Sequence, residues 1–176
     1  MIKKREPITL TENSIQTCFG KCFSLMQKFE FVVPNCKLIY DSECDLVGFT
    51  KTGFVHEFEI KISVADYKNE PNKTILVEGS FVNSKRNYSK ENKLEMLEKG
   101  FCVPNYFSYL VPDNLLSLDD IPSFAGLYYI DEYGRIYCVR TPKRLHKRKM
   151  ELEERYKQLR KLGYRYWSMR TKRKGN

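Results

Sequence analysis

A strict alternation of polar and apolar residues runs through the stretch HEFEIKIS, residues 56–63. Successive side chains of an extended strand point to opposite faces, so Glu57, Glu59 and Lys61 are predicted to share one face of a strand. The other face is apolar and suits a hydrophobic core. The pattern therefore predicts a strand with one buried face and raises the question of what its charged face does.

A hairpin is predicted from this strand and the run before it, CDLVGF, residues 44–49. The turn-forming cluster TKTG separates the two runs,. With a loop of residues 50–54, position 49 pairs with 55, position 47 with 57, and position 45 with 59. Asp45 then lies directly across from Glu59, whereas a shift of one residue would separate them.

Helical and strand patterns alternate along the rest of the chain. Thr11 is a plausible helix N-cap, and apolar residues at helical spacing predict a first helix from about residue 12 to Phe29: Ile15, Phe19, Cys22, Phe23 and Met26. Residues 31–39 predict a strand in which Pro34 indicates a sheet edge or a bulge. Further strands, short helices and a second hairpin are predicted from these segments: 63–70 (helix or turn), 74–82 (strand), 87–100 (ending in a helix), 105–111 (strand), and 124–131 with 135–140 (hairpin).

After Pro142 the pattern becomes helical, with Leu145, Leu152, Tyr156 and Leu159 as one apolar stripe among charged residues,. The order of elements predicts a single α/β domain over residues 1–142, in which a mixed central sheet is flanked by helices. Residues 143–176 are predicted to form a basic helical C-terminal extension.

The bulk composition excludes several classes of protein. A content of 41% hydrophobic and 14% aromatic residues is too high for a disordered protein,. No stretch approaches the ~20 apolar residues of a membrane span, and polar Thr11 to Ser14 interrupt any signal-peptide core. The six cysteines form no C-x-x-C pair, so reduced thiols are expected rather than disulfides or a zinc site,. We therefore expect a cytoplasmic protein with no membrane partner and no small-molecule cofactor.

The basic charge is confined to the last fifth of the chain. From Lys143 onward there are 14 Lys and Arg against three Glu, whereas residues 1–142 carry a net charge of −2. One interpretation is a solvated helix surface; the other is contact with nucleic acid, in which Tyr164, Tyr166 and Trp167 stack against unpaired bases. We favour the second because the charge is so local. The residues expected to contact phosphates are Lys143, Arg144, Lys147, Arg148 and Lys149.

Asp45 and Glu59, if paired as predicted, could share one divalent cation. Directly opposed Cβ atoms lie ~5 Å apart, and two carboxylates at that distance repel each other unless a cation neutralises them. Such an ion would neutralise charge on a phosphodiester and lower the pKa of an attacking water. The Lys61 ammonium could orient this water or help to deprotonate it. The alternative interpretation is an exposed sheet face, where alternating charges are common.

The order of a helix, a strand, an Asp-bearing strand and a Glu-x-Lys strand resembles the PD-(D/E)XK nuclease superfamily. Within it, the chain looks most like the MmcB-related DNA-repair nucleases. The stretch CDLVGFTKTGFVHEFEIKISVADYKNE is similar to that family's Asp-bearing strand, Gly-containing turn and Glu-Ile-Lys strand. The family's later strands, and the basic segment after them, are similar to two further stretches: YFSYLVPDNL and IPSFAGLYYIDEYGRIYCVRTPKRLHKRK. The resemblance covers about residues 31–150, weakly at 72–100.

The resemblance implies roles for individual residues. Asp45 and Glu59 would hold Mg²⁺ or Mn²⁺, and Lys61 would be the catalytic lysine. Cys44 stands where the superfamily name has Pro. Glu12 could be an additional metal ligand or could simply favour the helix dipole, and Glu57 is expected to be a flanking surface acid.

The function implied by the resemblance is metal-dependent hydrolysis of DNA, in repair, recombination or phage-type DNA processing. Two alternatives stay open at this point. One is a nucleic-acid-binding module on the same fold that does not cleave. The other is an RNA- or ribosome-associated protein that binds through its basic tail.

Overall fold

The computed structural model describes residues 6–37, 40, 42–82 and 85–172. Its strands are β1 (Phe31–Cys36), β2 (Cys44–Phe49), β3 (Val55–Ile60), β4 (Thr74–Val82), β5 (Lys85–Asn92), β6 (Tyr106–Pro112), β7 (Gly126–Ile130) and β8 (Ile136–Arg140). Six of them form a mixed sheet in the order β1-β2-β3-β6-β7-β8, while β4 and β5 form a separate antiparallel pair. In the large sheet, β6 runs parallel to β3 and β7, and the other neighbours are antiparallel. A mixed sheet is what the sequence predicted.

The helices are α1 (Glu12–Lys21), α2 (Phe23–Met26), α3 (Val64–Lys68), α4 (Lys93–Glu98) and α5 (Leu152–Lys172), with a 3₁₀ turn at Glu70–Asn72. Thr11 caps α1 as predicted, because its hydroxyl accepts from Ser14 N–H at 3.1 Å and the Ser14 hydroxyl accepts from Thr11 N–H at 2.8 Å,. Within the described ranges, no helix combines the length and apolarity needed to cross a membrane.

The predicted first helix is interrupted at Cys22, whose backbone is extended, so its continuity to Phe29 was wrongly predicted. Ile15 and Phe19 are buried as the helical pattern indicates. The interruption changes the phase of the pattern, so that Phe23 is 78% exposed and Leu25 turns into the core instead. Gly20, a poor helix former, lies next to the end of α1,.

Helices and other segments cover both faces of the sheet. On one face, Ile15 and Phe19 of α1 pack against Phe58 and Ile60 of β3. On the other face, Leu162 of α5 packs against a cluster from β1, β2 and β3: Val33, Cys36, Cys44, Val47, Phe49 and Val55. The prediction of a sheet flanked by helices is therefore confirmed.

Strand β1 lies at the edge of the sheet, where the sequence predicted a strand containing Pro34. An edge strand tolerates the missing amide hydrogen of proline. The next residue, Asn35, has a left-handed backbone with φ of 50°, which makes this strand irregular just before its end. Positions 38 and 39 of the predicted strand lie outside the described residues.

The chain after Pro142 is not helical until Leu152, so the helix predicted for residues 143–151 is wrong. This segment runs extended along the domain, where Lys143 N–H donates to Phe124 O at 2.9 Å and Leu145 N–H to Asn105 O at 2.9 Å. Met150 N–H donates to Gly53 O at 2.8 Å. Because the domain satisfies these amides, the segment does not need the hydrogen bonds of a helix.

The predicted apolar stripe of the C-terminal segment is divided in the structure. Leu145 precedes the helix and packs against the core, whereas Leu152, Tyr156 and Leu159 are 67%, 59% and 44% exposed. The side of α5 that meets the domain carries Gln158 and Leu162 instead. Hydrophobic periodicity located this helix, but its stripe is not the side that packs on the domain.

Candidate functional site

The β2–β3 hairpin has the register predicted from the sequence. Phe49 pairs with Val55 and Val47 with Glu57. The loop of residues 50–54 closes through a hydrogen bond from Thr50 N–H to Phe54 O at 2.9 Å, and Gly53 supplies the left-handed conformation that the turn needs, with φ of 88°,. The ladder ends at Leu46 and Phe58, and Asp45 and Glu59 are the next residues of the two strands, which this register would set across from each other.

Asp45 stands at the end of the ladder with its carboxylate turned toward β3. The Ile60 N–H donates to its Oδ2 at 2.6 Å. Burial and the nearby negative charge of Glu59 raise the pKa of Asp45 to about 7. The hydrogen bond from Ile60 lowers this pKa but does not outweigh them. The electrostatic effect of Glu59 is what two neighbouring carboxylates without a cation between them should produce.

Glu59 is almost fully buried and is surrounded by lysines. Its Oε1 accepts from Lys61 Nζ at 3.0 Å and is also in contact with Lys73 Nζ, while its Oε2 accepts from Lys93 Nζ at 3.0 Å. Burial alone would raise the pKa of Glu59, but the three ammonium groups outweigh it and lower the pKa to about 2. This carboxylate is therefore ionised at every physiological pH.

Lys61 points into the same buried cluster. Its Nζ lies 3.0 Å from Glu59, 2.9 Å from Glu70 and 3.5 Å from Asp66. Burial lowers the pKa of Lys61, but the charges of Glu59 and Glu70 outweigh burial and leave it raised. Lys61 is consequently a fixed cation and not a base at neutral pH.

Glu57 is not the surface acid that was expected. It is completely buried, with Oε1 2.7 Å from Lys93 Nζ and Oε2 accepting from the Tyr40 hydroxyl at 2.9 Å. Burial raises the pKa of Glu57 in spite of the opposing charge of Lys93. Glu57 is thus a buried member of the cluster, paired with Lys93.

Sequence reasoning missed Glu70, Lys73 and Lys93. Lys93 is 3% exposed and bridges Glu57 and Glu59. It is the first residue of α4, whose N-cap Asn92 accepts from Glu95 N–H at 3.1 Å. That capping pattern could have located the start of α4, but no local signal distinguishes these residues from the other charged residues of a strongly charged chain.

Glu12 lies in the first turn of α1, close to Asp45. Gln16 Nε2 donates both to Glu12 Oε1 and to the Asp45 carbonyl oxygen, each at 3.1 Å. Asn35 Nδ2 also donates to Glu12 Oε1, at 3.3 Å. The charge of Glu12 contributes to the raised pKa of Asp45. Asp45, Glu59, Lys61 and Glu12 are therefore brought into one neighbourhood.

The donors in this neighbourhood fit a weakly held hard cation. In the described part of the chain, no group of three or more His, Cys, Asp or Glu forms a ready metal cage. Mg²⁺ keeps several waters and is usually held by only one or two carboxylates together with substrate phosphates. Asp45 and Glu59 are two such carboxylates, but both oxygens of Glu59 are in contact with lysines, of which Lys73 is the most exposed, at 39%.

The predicted phosphate-binding residues of the extended segment are all exposed: Lys143, Arg144, Lys147, Arg148 and Lys149. Two of them are engaged by the protein itself. Arg148 donates to Gly100 O at 2.9 Å and Cys102 O at 3.0 Å, and Lys149 lies over the Phe54 ring. Lys143 has only a long contact of 3.5 Å with the Ser123 hydroxyl. Lys143, Arg144 and Lys147 are therefore the clearest candidates for external contacts.

Comparison with known proteins bears on the fold. No family model matches this chain, and no curated protein matches it. A solved structure of a protein of unknown function from Silicibacter pomeroyi is similar, with a TM-score of 0.61 and 15% sequence identity. The match covers 96% of this chain and 97% of that chain. At this identity the similarity shows a common fold, and the high coverage means that the fold includes most of the C-terminal segment.

Proposed function

We propose that this protein is a metal-dependent nuclease that hydrolyses DNA phosphodiester bonds, with the PD-(D/E)XK arrangement that its sequence resembles. The observation that supports the proposal best is the end of the hairpin, where Asp45 accepts a hydrogen bond from Ile60 N–H and Glu59, the residue before Ile60, contacts Lys61. The raised pKa of Asp45 adds support, because a site that strains a carboxylate in this way gains from binding a cation,. The processes it would serve are DNA repair, recombination or phage-type DNA processing.

Asp45 and Glu59 would hold Mg²⁺ or Mn²⁺, with Glu12 as a candidate additional ligand. The ion, when bound, would supply Lewis-acid stabilisation of the phosphate and a lower pKa for the attacking water. Lys61 stays protonated, so its part is to orient that water by a hydrogen bond and to offset negative charge on the phosphate, rather than to remove a proton. Glu70 and Asp66 hold the Lys61 ammonium in place.

The direct test is a cleavage panel of linear, nicked, flapped and four-way DNA, together with RNA, in Mg²⁺, Mn²⁺ or EDTA. We expect cleavage of DNA with either metal ion and none in EDTA. Glu95→Gln is a suitable control for the removal of a carboxylate, because Glu95 is exposed and, among the described residues, its carboxylate pairs only with Lys99. Cleavage that persists in EDTA, or absence of cleavage under conditions where the ion binds, would contradict the proposal.

One observation favours the non-cleaving alternative on the same fold. Both oxygens of Glu59 are already occupied by lysines, so the charge of this carboxylate is balanced without a metal ion. Metal titration by calorimetry separates the two proposals, since only the nuclease requires a divalent ion at the hairpin. Binding to RNA or ribosomes through the basic segment, with no metal uptake, would be the outcome for the remaining alternative.

The basic segment after Pro142 gives a separate prediction, because three of its side chains are the clearest candidates for contacts with DNA. Reversing the charge of Lys143, Arg144 and Lys147 to Glu should weaken binding to duplex DNA. The slope of log affinity against log salt should become shallower by about 0.9 for each phosphate that the protein no longer neutralises. Fluorescence anisotropy over a series of salt concentrations measures both quantities.

The matched control carries the same change of net charge elsewhere. Lys21, Lys28 and Lys51 are exposed lysines outside the segment, and their reversal to Glu lowers the net charge equally. A local interface predicts a much smaller loss of affinity for this control. Equal losses for the two variants would mean that only the total charge matters.

A further inference from the structure

The outer side of α5 exposes a line of large apolar side chains. Leu152, Tyr156, Leu159, Tyr166 and Trp167, called here the α5 stripe, are between 44% and 67% exposed. With 3.6 residues per turn, these positions fall on one side of the helix. Tyr166 and Trp167 are in contact with each other, with ring centroids 5.5 Å apart. An exposed apolar surface of this extent usually marks an interaction site.

Polar contacts with the domain determine which way α5 faces. Arg155 forms an ion pair with Glu30 at 2.7 Å, and Arg165 donates to Pro34 O at 2.7 Å and to Asn35 O at 3.1 Å. These anchors lie ten residues apart along the helix. Rotating α5 to bury the stripe would break both of them, so the stripe belongs to the outer surface of the folded chain.

The charges around the stripe fit an anionic partner. The α5 sequence contains seven Lys and Arg against two Glu, a net charge of +5. Arg155 pairs with Glu30 and Lys157 with Glu153, whereas Arg160, Lys161 and Arg170 pair with no carboxylate in the part of the chain that the structure describes. A second copy of the chain would bring this cationic helix against itself, so self-association through the stripe is electrostatically unfavourable.

Aromatic rings interleaved with cations suit single-stranded nucleic acid in particular. Unpaired bases stack on aromatic side chains while the phosphates meet Lys and Arg. Duplex DNA offers the same phosphates but keeps its bases stacked on each other, so it would leave the rings of the α5 stripe uncovered. The Tyr166 hydroxyl accepts from Arg170 at 3.3 Å, which places a cation directly beside the stacking surface.

The position of α5 connects the stripe with the proposed cleavage site. Leu162 packs on the sheet face that carries Val55 and, further along the same strand, Glu57 and Glu59. Arg165 contacts Asn35, which lies between two residues of β1 that pair with Leu46 and Cys44, the neighbours of Asp45. A strand that follows α5 toward its C-terminal end therefore passes close to the edge of the site.

We propose that the α5 stripe binds a single-stranded part of the DNA substrate, with bases on Tyr156, Tyr166 and Trp167 and phosphates on Arg160, Lys161 and Arg170. The inference rests on the proposed nuclease function for its biological meaning, but binding itself needs no metal. It names the substrate class as DNA that contains a single-stranded tract, such as a flap, a gap or an overhang.

Trp167 makes the test direct, because it is the only tryptophan in the chain. A single-stranded oligonucleotide is titrated into the full-length protein in EDTA, so that binding is measured without cleavage. We expect strong quenching of tryptophan fluorescence by stacked bases. An abasic oligonucleotide of equal length and charge, and a duplex of the same sequence, should quench little. Equal quenching by the abasic strand or by the duplex would overturn the inference.

Variants locate the contact. Tyr156→Ala and Trp167→Ala should each weaken single-strand binding by about 5- to 150-fold, the range typical for loss of one stacked base. Phe23→Ala is the matched control, since Phe23 is an exposed aromatic residue on α2, which lies against the opposite face of the sheet. Unchanged affinity in the two stripe variants, or a drop as large in the control, would contradict the assignment.

Two further results keep this inference distinct from the nuclease proposal. Single-strand binding in EDTA with no cleavage in any metal ion would support the α5 stripe and overturn the nuclease. Cleavage of duplex DNA without single-strand binding would support the nuclease and overturn the proposed role of the α5 stripe. Sedimentation should show a monomer, and a dimer that dissociates in Trp167→Ala would identify a second copy as the occupant and overturn the inference.

Discussion

Asp45→Asn should abolish cleavage and, in metal-free protein at a pH above about 7, should raise the melting temperature. Asparagine keeps an oxygen that can accept from Ile60 N–H but removes the charge that Glu59 disfavours. Loss of a metal carboxylate removes several kcal/mol of transition-state stabilisation, which corresponds to a fall in rate of at least about 10³-fold. A residue that lowers stability in order to serve function behaves in this way.

The sign of the pH dependence follows from the raised pKa. Asp45 holds its proton more tightly in the folded chain, with a pKa of about 7, than in the unfolded chain, where it is about 4,. Its contribution to stability is therefore complete below the unfolded pKa and is lost as the pH rises through the folded pKa. In EDTA, wild-type protein should lose stability across this range, and the variant should lose less.

Melting curves at about pH 5 and pH 8, with and without Mg²⁺, measure both effects in one experiment. Mg²⁺ should raise the melting temperature of the wild type at the higher pH and leave Asp45→Asn unchanged. Glu95→Gln should respond to Mg²⁺ like the wild type. If Mg²⁺ stabilised Asp45→Asn as much as the wild type, Asp45 would not be a ligand.

Lys93→Met should produce a large loss of stability. Lys93 is buried and contacts Glu57 at 2.7 Å and Glu59 at 3.0 Å, so its removal leaves Glu57 with the Tyr40 hydroxyl as its remaining partner among the described contacts. Removing one member of a buried ion pair costs about 3–5 kcal/mol, because the other charge stays buried. The free energy of unfolding from urea denaturation is the measurement.

A double variant identifies the cause of this loss. Lys93→Met combined with Glu57→Gln should be more stable than the sum of the single effects predicts, since both charges of the pair are then absent. Lys99→Met is the control. Within the described ranges Lys99 forms only an exposed pair with Glu95, so this substitution should change stability by less than about 0.5 kcal/mol,. Additive effects in the double variant would show that the Lys93–Glu57 pair is not responsible.

Local sequence patterns were sufficient for the hairpin that holds the candidate site. The alternation in residues 56–63 and the turn residues around Gly53 depend on neighbours in the chain, and the loop length then determines which residues face each other. For this reason the observed pairs Phe49–Val55 and Val47–Glu57, which lead toward Asp45 and Glu59, could be predicted. Alternation also placed Glu57, Glu59 and Lys61 on one face, but it could not reveal that this face is covered.

The covering residues come from distant parts of the chain. Lys73, just before β4, and Lys93, at the start of α4, reach Glu59, while Glu70 of the 3₁₀ turn pairs with Lys61 and Lys73. A carboxylate on a strand has the same local sequence whether water or lysines surround it. The expectation of a surface-exposed Glu57 failed for that reason.

In the C-terminal segment, too, contacts with distant residues decided what the local sequence could not. Asn105, more than forty residues from Arg148, donates to the carbonyl oxygens of His146 and Arg148 and holds the segment extended where propensity favoured a helix. Periodicity identified the apolar side of α5 but not its surroundings. An apolar stripe has the same sequence pattern whether it packs on its own domain or is exposed on the surface.

The sequence by itself determined the α/β class, the register of the hairpin that leads to Asp45 and Glu59, and the concentration of positive charge after residue 142. The tertiary structure alone decided that Glu57 is buried, that Lys93 and Glu70 complete the cluster, and that the α5 stripe faces outward. The physical reason is the range of the interactions. Strand alternation and turn formation act between near neighbours, whereas burial and ion pairing depend on residues that only folding brings together.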